Sequence, residues 1–355
     1  MTEKQGDTVQ TSIKRSDAVI RSVLNNKALL ILLVLIIVSV FLTSGLFISP
    51  TNLASVSRQI VTIAMLGIGF TVVLASGSVD LSVGHMLSFT GVCYAMILTT
   101  AGKSFASIMS SGAAEALSLL VAIVLTMLIG AGSGLVNGLI SEKLKLAPFI
   151  VTLATAQIFR GFASILSDGK AVTGLSDSAL AIGQNSISSA PVLQYIPISL
   201  IITIILTLFI SVLLYRTRYG RHVIATGGNP EAANVSGINI SAIRISAFVI
   251  MGAFVAIGSI ILTGRTSMAQ PAAGAGMEMD AIAAVVIGGT PMSGGKARVG
   301  GTVFGCLVIG VMNNLLNLMG VSSFWQWVAK GLIIILAIVL DAQTDRFFNK
   351  LRKAS

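Results

Sequence analysis

The chain has 355 residues, of which 54% are hydrophobic and only 10% charged, with a mean hydropathy of +0.93. A soluble domain carries roughly 25% charged residues. A soluble enzyme, a DNA-binding domain and a disordered chain are therefore excluded, and a polytopic membrane protein remains.

Residues 1–27 are polar and basic and are expected to form a cytoplasmic tail. The first apolar run is Ala28–Ile48. A crossing helix needs about 20 apolar residues, and no small-residue cleavage pattern follows this one, so it reads as an uncleaved first span. Further spans are predicted at Gln59–Ala75, Gly84–Ala101, Leu117–Ile140, Pro148–Leu166, Ile198–Tyr215, Ile245–Gly264, Gly300–Met319 and Phe324–Leu340. Between the last three lies Asp280–Gly289, apolar but too short to cross alone. Counted as a short or broken helix, it gives about ten segments. The expected fold class is an all-α polytopic membrane protein, with a transmembrane domain over 28–340 and a second cytoplasmic tail over 341–355.

Loop charge supports that count. With the N-terminus inside, the inner loops and tails hold Lys4, Lys14, Arg15, Arg21, Lys27, Lys143, Lys145, Arg216, Arg218, Arg221, Arg244, Lys296, Arg298, Arg346, Lys350, Arg352 and Lys353. The outer loops hold only Arg58, Lys103, Lys170 and Arg265, and Arg160 and Lys330 fall within spans. Basic residues gather on cytoplasmic loops, so both termini are expected inside. The net charge of +10 then records orientation and not nucleic-acid binding. Cys93 and Cys306 lie in apolar runs without a CxxC motif, so buried thiols are expected, with no metal site, no disulfide framework and no cofactor.

A faint internal repeat pairs GLVNGLI (Gly134–Ile140) with GVMNNLL (Gly310–Leu316). The two helices would run in opposite directions, as an inverted repeat requires. Gly134/Gly138 and Gly301/Gly305 have the spacing of close helix packing, within one subunit or at a dimer interface.

The sharpest motif is TRYGRHVIATGGNPEAANVSGINISAIR, Thr217–Arg244, within a cytoplasmic loop over 216–244. Asn229 suits an N-cap, Pro230 the first helical position, and Gly237 the stop. A helix of about two turns follows, Pro230–Ser236, with a small face of Ala232, Ala233 and Ser236. Such a face lets another protein approach closely; the alternative is an ordinary basic loop.

This stretch resembles the coupling loop of ribose-type sugar permeases from bacterial ATP-binding cassette (ABC) importers. SGSVDLSVG (Ser76–Gly84), APFIVTLATAQIFRG (Ala147–Gly161), AQPAAGAGMEMDAIAAVVIGGTPMSGGKARVGGT (Ala269–Thr302) and GVMNNLLNLMGVSSFWQWVAKG (Gly310–Gly331) carry the same resemblance. It covers roughly Ser44–Asp341. It implies one half of a homodimeric pore in a bacterial inner membrane. Two ATP-binding cassette subunits or domains would dock on the cytoplasmic side, and an extracytoplasmic sugar-binding protein would deliver the substrate. The residues that match the coupling segment are Gly220, Arg221, Gly227, Gly228, Asn229, Pro230, Glu231, Ala232, Ala233, Ser236 and Gly237. Galactoside, xylose and inositol permeases share the pattern, so the sugar stays open.

The chain itself should hold no nucleotide. In GGTPMSGGKA, Gly288–Ala297, Gly289 stands six positions before Gly295 where a phosphate loop needs five, and Ala297 replaces the required Ser or Thr. The stretch reads as a flexible cytoplasmic turn.

Four charges are candidate structural or gating groups. Asp80 either caps a helix beginning at Leu81 or serves a functional role as an intramembrane carboxylate. Arg160 is either a structural partner for a carbonyl or carboxylate or a sugar ligand, the first being favoured. Glu278 and Asp280 either favour the N-terminus of the short helix or mark the outer mouth of the pore. Asn137, Gln157, Asn313 and Asn314 either join helices or line a substrate pathway. The outer segment Ser167–Pro197 is a linker or a dock for the binding protein. An ion-coupled secondary transporter, with Asp80 or Asp280 titrating, is the alternative functional reading.

Overall fold

The computed structural model describes residues 27–186, 193–322, 324–332 and 335. The predicted tails lie outside these residues except for Lys27, as does most of the last predicted span.

The described chain is helical throughout, with two isolated β-bridges, Val172–Ala269 and Ser186–Pro197, both on the side predicted to be external. The helices are α1 (Lys27–Leu42), α2 (Pro50–Ala75), α3 (Val83–Ala106), α4 (Ser111–Lys143), α5 (Pro148–Leu166) and α6 (Asp177–Gln184). Then follow α7 (Ile198–Arg216), α8 (Arg218–Gly228), α9 (Pro230–Val235), α10 (Ile240–Thr266), α11 (Met277–Ile287) and α12 (Val299–Leu318). Residues 324–332 are also helical. Among the described residues, α2, α3, α4, α5, α7, α10 and α12 are long and apolar enough to cross a membrane. The protein is a multi-pass membrane protein.

Several helices outrun the apolar runs that announced them. α2 begins at Pro50 rather than Gln59, because Ser49 accepts a bond from the Asn52 N–H and Pro50 occupies the first helical position. Arg58, predicted in an outer loop, therefore lies within α2. Lys103 and Arg265 likewise fall in the last turns of α3 and α10. Long cationic side chains reach toward water while their stems stay in apolar surroundings, so a helix need not end where charge begins.

α2 is the axle of the fold. In its most apolar window 89% of residues are buried, against 22% for α7 and 28% for α4. α10, α11, α12 and one side of α7 pack around α2, while α4, α5 and the far side of α7 keep broad apolar faces outward, as lipid-facing helices do. Close approach is bought with glycine. Side chains at Gly130 and Gly134 would overlap the Gly252 and Phe248 carbonyls of α10. One at Gly305 would overlap the Ala284 carbonyl of α11. Both GxxxG pairs thus pack within one subunit.

Candidate coupling site

Thr217–Arg244 folds as two helices where the sequence announced one. In α9, the Asn229 side chain accepts a bond from the Ala232 N–H at 3.0 Å. Pro230 follows the cap, and Gly237 turns the chain out of the helix at φ +81°. The missed element is α8, capped by Thr217, whose hydroxyl accepts from the Gly220 N–H. Gly220, Val223 and Thr226 are buried while Arg218, Arg221 and His222 are exposed, an amphipathic pattern a loop reading overlooks.

α8 ends in a glycine junction. The Gly295 N–H donates to the Ala75 carbonyl at 3.0 Å. A Cβ at Gly227 would overlap that same carbonyl and meet Gly295 N at 2.6 Å, and one at Gly294 would lie 2.8 Å from Gly77 Cα. Gly77, Gly294 and Gly295 all adopt positive φ, which only glycine does without strain. The turn Gly288–Ala297, expected to be flexible, is instead wedged between the ends of α2 and α8. Tyr215 ties the same region to α12: its hydroxyl accepts from the Val299 N–H at 2.9 Å and donates to the Ala297 carbonyl at 3.1 Å. The ends of α2, α8 and the α11–α12 turn meet on one face, the one that loop charge assigns to the cytoplasm.

The residues that match the coupling segment divide by exposure. Glu231, Ala232, Ser236, Gly237, Arg221, Gly228, Asn229 and Pro230 are exposed. Gly220 is buried against the Leu214 backbone and Gly227 is half-buried. Ala233, expected on the docking face, is 4% exposed and faces inward, whereas Val235 is 89% exposed.

Asp80 is fully buried, but α3 starts at Val83, not Leu81. Its Oδ1 accepts from the Ser82 N–H at 2.9 Å and from the Ser82 hydroxyl at 2.6 Å. This is an Asx turn, the carboxylate accepting from a donor two residues on, not a helix cap. Asn137 then donates to Ser82 Oγ at 2.8 Å. Burial pushes the Asp80 carboxyl above its ordinary range, against the pull of the Ser82 bonds.

Asp280 lies inside the protomer at 5% exposure and accepts from Lys330 at 2.8 Å, with Asn313 adjacent. Lys330 is the partner that sequence reading left without a role. Glu278 is half-buried against Gly84 of α3. Asn314 exchanges two amide bonds with Asn52, at 3.0 and 2.9 Å. Asn137, Asn313 and Asn314 are thus buried among the protomer's own helices. Gln157 and Arg160 are exposed on α5 three residues apart; the Arg160 carbonyl accepts from the Ser164 hydroxyl, while its guanidinium makes no hydrogen bond or ion pair among the described residues.

The outer segment 167–197 contains α6, fastened to α4 where Glu115 accepts from the Ser178 N–H and hydroxyl at 3.0 and 2.6 Å.

A family model described as "Branched-chain amino acid transport system / permease component" matches residues 52–339. The ribose import permease protein RbsC of Bacillus subtilis (strain 168) is 37% identical over 309 residues, covering 87% of this chain and 90% of the relative. RbsC of Escherichia coli (strain K12) is 36% identical over 319 residues, 90% and 94% of the two chains. The L-arabinose transport system permease protein AraH of the same strain is 34% identical over 290 residues, 82% of each. No solved structure matches the chain.

Proposed function

Because this chain belongs to the branched-chain amino acid transport system / permease component family, we propose that it is the membrane-spanning subunit of an ABC importer for ribose or a related monosaccharide. The likeness to ribose import permeases over most of both chains carries the choice of substrate. It is a transport subunit; ATP hydrolysis belongs to partner ATPase subunits, and an extracytoplasmic binding protein supplies the sugar.

The proposed arrangement is ten segments with both termini in the cytoplasm of a bacterial cell, in its inner membrane. The permease domain covers 28–340 between tails at 1–27 and 341–355. The eighth crossing, in chain order, is the broken one: residues 267–276 followed by α11. In an inverted repeat, Asn137 and Asn313 occupy matching places. Asn137 braces the Asp80 turn and Asn313 lies beside Asp280, which supports that symmetry.

The ATPase docks on α9, where a capped helix presents Ala232, Val235 and Ser236 to the cytoplasm. Movement of α9 passes through α8 to the glycine junction, and thence to α2 and the α11–α12 turn. Two copies enclose the pathway. Arg160 and Gln157 of α5 support this placement: a charge on a face left to lipid costs several kcal/mol, and a water-filled wall between two copies removes that cost.

Labelled ribose uptake should be measured in cells expressing the permease with its ATPase and binding protein. Uptake should require the ATPase and persist when proton and sodium gradients are collapsed. Uptake that survives loss of the ATPase but not of the gradient would establish the ion-coupled reading instead.

A further inference from the structure

A cleft of about 720 Å³ opens beside α9, between the α4–α5 turn and the α9–α10 turn. Its polar walls are Ser141, Glu142, Lys145, Asn234, Asn239 and Arg244. α5 and α10 both begin at it, α10 capped by Asn239, whose side chain accepts from the Ala242 N–H. The residue before α5, Ala147, has no side chain able to cap that helix.

Two groups there are short of partners. Ser141 is 2% exposed and its Oγ has none, and Arg244 Nε has none either. Arg244 Nη1 donates to Glu142 at 3.3 Å, while the Ser241 hydroxyl donates to the other Glu142 oxygen at 3.0 Å. Nη2 lies 3.9 Å from where a side chain at Gly77 would begin. One arginine therefore pairs with α4 and lies near the loop that carries Asp80. The described carboxylates of this face are Glu142, already committed to Arg244, Glu231 on α9 and the fully buried Asp80; basic residues outnumber them. Donors exceed acceptors at the cleft, which suits an anionic side chain.

We propose that this cleft is a second docking socket for the ATPase subunit, taking an Asp- or Glu-bearing loop whose carboxylate binds Arg244 and Lys145. The inference rests on the docking of the ATPase at α9. It adds a route: an entering carboxylate competes with Glu142 for Arg244 and draws the guanidinium away from α4 and from its place beside Gly77. Continuity argues for the same partner, since Asn234 belongs to α9 and Gly237 to the turn after it, and both line the cleft.

Single cysteines replace Lys145 and, as the α9 reference, Ala232, in the complete transporter; the native Cys93 and Cys306 are buried. A short bismaleimide should join both positions to the ATPase, provided a cysteine is placed along its facing loop. ATPase binding should slow maleimide labelling at both by about tenfold. Lys145→Glu should weaken ATPase association about tenfold, and a charge-reversing substitution of the facing acid should restore it.

Protection and crosslinking at Ala232→Cys but not at Lys145→Cys would overturn the socket and leave the α9 dock standing. Absence at both would remove the dock itself. Protection at Lys145→Cys that follows the anionic-lipid content of the vesicles and not the ATPase would make the cleft a lipid headgroup site and overturn the proposal. So would failure of the charge swap.

Discussion

Asp280, buried, and Lys330, half-buried, form an ion pair within a membrane protein, and such a pair is strong mainly in what it costs to break. Removing one partner from a buried pair destabilises by about 3–5 kcal/mol, whereas replacing both with apolar groups of similar size is often neutral. Lys330→Met should therefore lower the melting temperature in detergent markedly, and Asp280→Leu/Lys330→Met should recover most of the loss. A double variant as unstable as the single one would show that the pair itself is not the cause. Asp80 makes the opposite case. Its folded pKa stands above its ordinary value of 3.8, so the fold holds a proton that the unfolded chain releases. Its contribution to stability falls as pH rises from 3.8 through the raised value. Asp80→Asn keeps an acceptor for Ser82 and loses that pH dependence. The variant should gain on wild type as pH rises through the window, and should retain most ATP-driven uptake. Loss of uptake in a folded Asp80→Asn protein would give the carboxylate a gating role.

At the scale of elements, α4 and α10 meet through backbone rather than side chains. Gly134→Leu must push Phe248 away, and overpacking of this kind costs roughly 1–3 kcal/mol or more. Gly132, two residues away, has open space beyond it, so Gly132→Leu should leave the melting temperature near wild type. Equal losses in both would deny that close packing is the reason. For α9, the exposure of Val235 and the burial of Ala233 make opposite predictions. Val235→Glu should weaken ATPase association about tenfold, roughly 1.4 kcal/mol, while insertion and melting stay normal. Ala233→Trp should disturb the fold of the segment itself. The Asn–Pro start and glycine stop of α9 were legible because they are local chemistry. α8 was missed although its amphipathic spacing is in the sequence, because its charged residues suggested a loop, and only α7 and α10 show what its inner face packs against.

At the scale of the molecule, the ends of α2 and α8 and the α11–α12 turn share one face, and all three belong to the side predicted inside. Reporter fusions after Lys145, Arg221 and Arg352 should read cytoplasmic, and one after Asp177 external. An external C-terminus would remove the ten-segment arrangement. The same face gathers the glycine junction, α9 and the basic cleft, so energy entering from an ATPase has a short path to the axle helix α2.

Composition and apolar runs alone determined that this chain spans a membrane many times, where most helices lie and which residues could cap α9. Those are properties of windows of about 20 residues and of single peptide units, and a linear reading contains them. Partnership was decided by tertiary structure. Lys330 finds Asp280 across 50 positions, Tyr215 reaches the start of α12, and Arg244 pairs with Glu142 and lies near Gly77. Ala233 turns inward while Val235 turns outward. No window holds both members of such contacts, and in a chain whose helices are nearly all apolar, hydrophobicity cannot tell the lipid face from the packed one. The contour of the neighbouring helix makes that choice, and glycine is where the neighbour comes closest.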